Sequence, residues 1–292
     1  MNILKTPKEF LDFSVPNYPS LNSNKNFESY FYDYFLDNSF DSQLTYIPVQ
    51  WTNLLINRNY GKEIDDLKDF LNTNIEKNKK YFTIVQYAGG PIVELENTII
   101  FSMGGVFNTN INKNSEVIPL PLVYDHKFEN LGEKKKYIAS YVGRNTHKSR
   151  LKIEQMISKK DKFFIKNLDT MNSSIEEENI KLFEKMIQES YFSLCPRGFG
   201  PTSFRLYESI KMGTVPVYIS DDFFLPYKQL LDWSKFSILL NNKNIKKLPK
   251  ILNKHIDEGT YENLKYSLDQ VKDTFFSFEY MTKYIQSVIE TK

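Results

Sequence analysis

The residues best suited to chemistry lie between Tyr191 and Tyr227, YFSLCPRGFGPTSFRLYESIKMGTVPVYISDDFFLPY. Arg197 and Arg205 flank a turn containing Gly198 and Gly200, and Glu208 follows three positions after Arg205. Glycines carry no side chain, so backbone there can approach a ligand. A helix opening at Thr202 or Ser203 would aim its unpaired N–H groups and positive dipole end at the same spot. Fixed positive charge at such a place suits a phosphate or diphosphate. On that helix Glu208 shares a face with Arg205, displaced by roughly 4.5 Å along the axis. The offset resembles the step from a nucleotide's diphosphate to its ribose hydroxyls, which a carboxylate accepts well. The same two residues would also form an i,i+3 surface ion pair of little worth, and the pair alone does not decide between the two.

The elements that must position these groups read as strand, turn, helix and strand. Tyr191 to Leu194 is a short apolar run that stops at Cys195-Pro196, where proline interrupts ladder hydrogen bonding. The helix runs to about Met212 and ends at Gly213. Val215 to Ile219 is a buried strand, and Ser220-Asp221-Asp222 lies beyond its carboxyl end, where open α/β sheets bind ligands. A second step of the same kind comes earlier. Tyr137 to Val142 reads as a strand, followed by Gly143 and a helix from about His147 to Ser158. Its turn is basic, which is unfavourable at a helix start unless an anion is bound, so Arg144 and Arg150 are candidate diphosphate contacts. A P-loop would place a second glycine before Lys148-Ser149, so a nucleoside triphosphatase is excluded.

The run Cys195-Pro-Arg-Gly, Ser203-x-Arg205-x-x-Glu208, Gly213-x-x-Pro216-Val217, Asp222 and Leu225-Pro226 resembles the signature of the exostosin family. Gly143 and Arg150 match that family's pattern of a glycine after a strand and an arginine opening the next helix. The family consists of glycosyltransferases, so the resemblance implies an α/β fold of GT-B type: two Rossmann-like lobes with parallel sheets facing across a cleft, and C-terminal helices packing back on the first lobe. It implies a nucleotide-sugar donor held by Gly143, Arg144, Arg150, Arg197, Gly198, Ser203, Arg205, Glu208 and Asp222. A UDP-sugar is expected over a GDP-sugar, from the family's habit alone.

The resemblance further implies transfer with inversion, for which a general base must deprotonate an acceptor hydroxyl. That base should come from the first lobe, where Glu94 and Asp125 are the candidates, each also readable as a solvated loop residue. Arginines at the diphosphate would stabilise leaving-group charge, so neither a metal nor a further cofactor is required. Asp221-Asp222 reads as a turn and cap. Trp51 and Trp233 could stack on acceptor sugars or simply pack. Two alternatives stay open: a fucosyltransferase-like GT-B enzyme using a GDP-sugar, and a non-catalytic nucleotide-sugar or glycan-binding module.

Composition narrows the setting. The chain has 292 residues, 38 basic against 36 acidic, and a formal charge of +2, which argues against a nucleic-acid partner. Cys195 is the single cysteine, so no intrachain disulfide can form. Residues 1 to 13 show no apolar signal-peptide core, and no uncharged apolar run approaches the ~18 residues of a membrane helix. The expectation is a cytoplasmic protein acting on a nucleotide sugar and a glycan acceptor, with peripheral membrane contact left open. Family members in eukaryotes carry an anchor and lumenal disulfides, and this sequence departs on both counts.

The rest of the chain divides by character. Residues 1–124 hold alternating helices and buried strands (Leu44–Val49, Tyr81–Tyr87, Thr98–Met103, Val117–Val123) and are expected to be the acceptor-side lobe. The charged stretch 125–136, DHKFENLGEKKK, is expected to be the linker. Residues 137–257 form the donor-binding lobe. Residues 258–292 are expected to be helices crossing back to the first lobe, with a break near Thr274–Ser277.

Overall fold

The computed structural model describes residues 2–11, 26–106, 114–124, 126, 128–129, 131–168 and 177–292. It divides into two compact units, Met1–His126 with Ser277–Lys292, and Lys127–Phe276.

The first unit is a parallel sheet in the order β1-β2-β3-β4 (Thr45–Tyr46, Tyr81–Val85, Thr98–Ser102 and Glu116–Pro119). Every residue of β2 and β3 is buried, which is why they read as unbroken apolar runs rather than alternating ones. The expected strand Leu44–Val49 shrinks to two residues, because the chain turns at Pro48 into the helix α2 (Trp51–Asn57). Gln50, Trp51 and Asn53 are buried there, and the Trp51 indole donates to Thr83 Oγ1 at 2.8 Å, so this tryptophan packs. The aromatic segment that also reads as a strand is the helix α1 (Phe27–Asp37), capped by Asn26. Phe27, Phe31 and Phe35 recur at four-residue spacing on its buried face, with Phe35 4.9 Å from the ring of Tyr46. A further helix, α3, spans Asp65–Asn74.

The second unit is a five-stranded parallel sheet in the order β6-β5-β7-β8-β9 (β5 Tyr137–Gly143, β6 Phe163–Asn167, β7 Ser190–Pro196, β8 Val215–Ser220, β9 Ile238–Asn241). Helices α4 (Lys148–Ile157), α5 (Glu177–Gln188) and α6 (Phe204–Lys211) connect the first four strands, and α7 (Leu248–Asp257) follows the last. Pairing continues through Pro196, which sits opposite Ile219, and the N–H of Arg197 reaches the Ile219 carbonyl at 2.9 Å. The ladder therefore runs two residues further than the proline suggests. In spatial order the sheet is 2-1-3-4-5, so the chain reverses direction across the sheet between β5 and β7. Ligands of open α/β sheets bind at the carboxyl ends of such a pair.

Two expectations about connections change. Asp125 lies outside the described residues, His126 closes the first unit, and the described residues of the stretch from 128 on are fastened to the second unit. The Gln188 amide accepts from Leu131 N and donates to the Glu129 carbonyl, both at 2.8 Å, while Lys135 Nζ donates to the carbonyls of Gln188 and Ser190. Burial, helped by the nearby charge of Lys265, pushes the Lys135 ammonium down to about 8. At the other end the tail breaks where periodicity slips, but its two helices part company. α8 (Thr260–Val271) stays in the second unit, held by Phe276 packing on Trp233, Tyr207 and Phe236. Only α9 (Phe278–Ile289) joins the first, where Phe278 lies 5.0 Å from Phe27 of α1.

Candidate functional site

At the carboxyl ends of β5 and β7 two strand–turn–helix steps converge. Arg150, on the first turn of α4, joins them. Its Nε donates to the Arg197 carbonyl at 3.0 Å, Nη1 to the Arg144 carbonyl at 2.8 Å and Nη2 to the Pro196 carbonyl at 3.5 Å. Tyr141 Oη donates to the same Arg144 carbonyl at 3.0 Å. Arg150 is only 7% exposed, and burial pushes its guanidinium down to about 10, so it remains cationic at neutral pH. Its donors bind protein carbonyls, making it chiefly the clamp that sets the two turns side by side. Gly198 packs closely beside it, since a Cβ there would lie a tight 3.2 Å from Arg150 Nη2.

Arg205 enters the same place from α6. Its guanidinium lies 4.6 Å from the ring centre of Tyr141 and 5.3 Å from that of Phe183, and Nη2 donates to the Val142 carbonyl. A Cβ at Gly143 would run into that Nη2, so the glycine at the strand end makes room for the arginine. This placement sets Arg205 against the sheet, quite unlike a solvated surface pair. Glu208, one turn on, is 9% exposed. Ser203 is the N-cap of α6 in extended backbone, yet its hydroxyl caps nothing, and Ser203 Oγ, Thr146 Oγ1 and Arg205 Nε are buried without a hydrogen-bond partner. Three polar atoms around two helix starts thus have hydrogen-bonding capacity that the protein itself does not use.

Arg197 lies on the second turn with its side chain 14% exposed. It forms an ion pair with Asp221, donates from Nε to the Gly200 carbonyl at 3.2 Å and from Nη2 to the Phe199 carbonyl at 3.3 Å. Burial pushes the Asp221 carboxyl up, but the hydrogen bond and charge of Arg197 outweigh it and hold it below the usual range. Phe199 stands at the apex of this loop, 72% exposed. Asp222 is exposed beyond β8, its N–H 3.3 Å from Ser220 Oγ, which in turn donates to the Pro201 carbonyl at 3.0 Å. The acidic pair is thus a turn that braces the glycine-rich loop. Among the described residues no group of three or more His, Cys, Asp or Glu is placed to hold a metal ion.

The structure therefore gathers Gly143, Arg144, Arg150, Arg197, Gly198, Ser203 and Arg205 around one sheet crossover. Glu94 is an exposed residue of the first unit, and Asp125, the other candidate base, lies outside the described residues. Sequence reasoning missed Tyr141 and Phe183 as the aromatic walls of Arg205. Alternation offered a signal for the first, since Tyr141 and Gly143 share one face of β5. It also missed Glu28, which is 1% exposed in the first unit. Its carboxylate accepts from Thr52 N, Thr52 Oγ1 at 2.7 Å and Gln86 N at 2.7 Å. Burial pushes Glu28 up to about 7 against those hydrogen bonds, and nothing in its sequence context marks it.

Comparison with known proteins bears on the same stretch. The Exostosin GT47 domain matches residues 90–255, which include every site residue named above except Glu28. A probable glycosyltransferase of Arabidopsis thaliana is 38% identical over 90 residues, 31% of this chain and 19% of that protein. A probable glucuronosyltransferase of Physcomitrium patens is 36% identical over 78 residues, covering 27% and 17%. An exostosin-1 homolog of Caenorhabditis elegans is 34% identical over 70 residues, covering 24% and 18%. The matched segments thus span less than a fifth of each of these relatives. Among solved structures, Staphylococcus aureus TarM aligns over 91% of this chain and 59% of its own, with 11% identity and a TM-score of 0.45. No helix among the described residues is long and apolar enough to cross a membrane. With the family's domain covering more than half of its length, the chain belongs to the exostosin GT47 family of glycosyltransferases.

Proposed function

We propose that this chain transfers a sugar from a nucleotide-diphosphate sugar to a hydroxyl of a glycan or similar acceptor, with inversion. The observation that carries this reading is the crossover of β5 and β7, where two helix starts and Arg205 surround Ser203 Oγ, Thr146 Oγ1 and Arg205 Nε, all buried and unpartnered. A diphosphate there would receive those donors and the positive ends of α4 and α6. Glu208, one turn along α6, would take the ribose hydroxyls. As the glycosidic bond to the diphosphate breaks, negative charge grows on its oxygen, and cations already fixed in place stabilise that state without reorganising. Arg150 supports this by holding the two turns. The general base is proposed from the first unit, Glu94 or Asp125. A uracil nucleotide is favoured by family likeness, and a glucuronosyl or hexosyl group by the names of the relatives.

The test is calorimetry with UDP and GDP, followed by nucleotide release from a panel of UDP- and GDP-sugars with and without sugar acceptors. Micromolar UDP binding and acceptor-dependent UDP release are expected. Release from GDP-fucose alone would move the chain to the fucosyltransferase-like reading. Binding with no release from any donor would leave a non-catalytic module.

A further inference from the structure

His147 occupies an unusual position for a histidine: it is the N-cap of α4. Its Nδ1 accepts from Ser149 N at 3.2 Å and lies 2.9 Å from Ser149 Oγ. A ring nitrogen that accepts a backbone N–H carries no proton, so the neutral ring holds its hydrogen on Nε2. Nε2 makes no hydrogen bond to the described residues, and the neighbouring Thr146 Oγ1 is one of the unpartnered buried atoms of the site. Asn, Asp or Ser would cap a helix at least as well with a smaller side chain, so capping alone does not account for an imidazole here.

The charges that face the ring come from three elements. Lys148 and Arg150 lie on α4, Arg197 on the turn after β7 and Asp221 beyond β8. Burial is the largest influence and holds the imidazole below its usual range; the three cations act in the same direction and Asp221 opposes them. The free site therefore presents a neutral ring. A diphosphate would bring at least two negative charges to the place where those cations converge, and would reverse the balance.

Building on the donor reading above, we propose that His147 is a binding residue for the donor's diphosphate, donating from Nε2, and that the ring takes up a proton as the diphosphate binds. The sign of the pH dependence follows. Ligand raises the ring's affinity for protons, so protons raise the affinity for ligand, and binding tightens as pH falls through the bound-state titration of the ring. The proton comes from solvent and goes to Nδ1, which then stops accepting from Ser149 N and donates instead to Ser149 Oγ, 2.9 Å away.

The discriminating variant is His147→Asn, whose side-chain oxygen can still accept from Ser149 N while the Nε2 donor is gone. UDP and GDP titrations of wild type and variant at pH 6 and pH 8 compare like with like, since the nucleotide's terminal phosphate itself titrates near pH ~6 and cancels in the difference. The variant should bind about tenfold more weakly at pH 6 and about threefold more weakly at pH 8, with an unchanged melting temperature. A second readout needs no substitution. The chain has three histidines, so their ring resonances are resolvable, and saturating UDP should raise the His147 midpoint by about one unit. Equal affinities at both pH values, or a ring midpoint that UDP does not move, would overturn the role of His147 while leaving the donor site standing. A wild-type protein that bound neither UDP nor GDP would overturn both.

Discussion

Replacing Gly143 with alanine separates what the strand-end glycine does for folding from what it does for ligand. A Cβ at that position meets the Nη2 of Arg205, the far end of a flexible side chain, so the arginine can move aside and the backbone need not. The displaced guanidinium loses its bond to the Val142 carbonyl, worth about 1 kcal/mol, and part of its stacking on Tyr141 and Phe183, worth about 0.5–1 kcal/mol. Alanine in a strand regains about 0.5 kcal/mol over glycine. The net cost to stability is about 1 kcal/mol, a fall of about 2–4 °C in melting temperature for a unit of this size. Nucleotide binding should suffer far more, because a hydrogen bond from a charged donor to phosphate is worth about 1.5–3 kcal/mol, or about 10- to 100-fold in UDP affinity. Differential scanning fluorimetry and calorimetry on Gly143→Ala, Arg205→Ala and the double variant test the account together. If the glycine acts through the arginine, the double variant binds no more weakly than Arg205→Ala alone. Additive losses, or full UDP affinity in Gly143→Ala, would refute the argument.

Four other outcomes are expected. Arg150→Met should destabilise the second unit by about 2–4 kcal/mol in urea unfolding, since three hydrogen bonds to carbonyls at the crossover are lost and only the Arg144 carbonyl keeps a side-chain donor, Tyr141. Glu28, pushed up to about 7 when folded against about 4.5 when unfolded, binds a proton more tightly in the folded state, so its contribution is full below pH ~4.5 and lost as pH rises to ~7. Wild type should therefore lose about 2–3 kcal/mol between pH 5 and pH 7.5 that Glu28→Gln does not lose, read from urea unfolding across that range. Asp221→Asn removes the carboxylate that neutralises Arg197 and should tighten UDP binding about fivefold in low salt, with weaker binding showing instead that the pair positions the arginine. Sugar transfer should survive saturating EDTA, because arginines and helix ends supply the positive charge a divalent ion would otherwise bring; activity restored only by added Mg²⁺ or Mn²⁺ would contradict this.

How far the site could be read from sequence depended on whether each residue's job was local. The turn Arg197-Gly198, the N-cap position Ser203, and the Arg205 to Glu208 spacing are set by a few consecutive residues, so their types and intervals located the turn and the start of α6. Strands β2, β3 and β8 were legible for the same reason, as unbroken apolar runs buried throughout, whereas β1 and β4 are shorter than the apolar runs Leu44–Val49 and Val117–Val123 suggested. Arg150 was legible as a cation but not as a clamp, because its partners are carbonyls 6 and 47 residues away and every residue type offers a carbonyl. Glu28 was invisible because its carboxylate answers backbone donors from Thr52 and Gln86, which sequence does not mark. The parting of α8 from α9 turned on Phe276, one phenylalanine among 23, choosing the Trp233 pocket.

The cations of the crossover differ in what holds them, and that difference bears on how a donor would be selected. Arg150 is immobilised by carbonyls and Arg205 by two rings and a carbonyl, so neither has much side-chain freedom left to lose when an anion arrives. Arg197 is held by a carboxylate that an incoming phosphate can replace. On the proposed donor reading, such a site would recognise the diphosphate alike for every nucleotide sugar, because none of these groups reads a base or a sugar. Discrimination must then come from residues away from the crossover. The buried Glu28, Gln50, Asn53 and Gln86 belong to the first unit and precede residues 90–255, which the family's domain matches. If that division of labour is right, substitutions at Gln50 or Gln86 will alter acceptor use at unchanged UDP affinity, whereas substitutions at Arg205 will weaken all donors by one common factor.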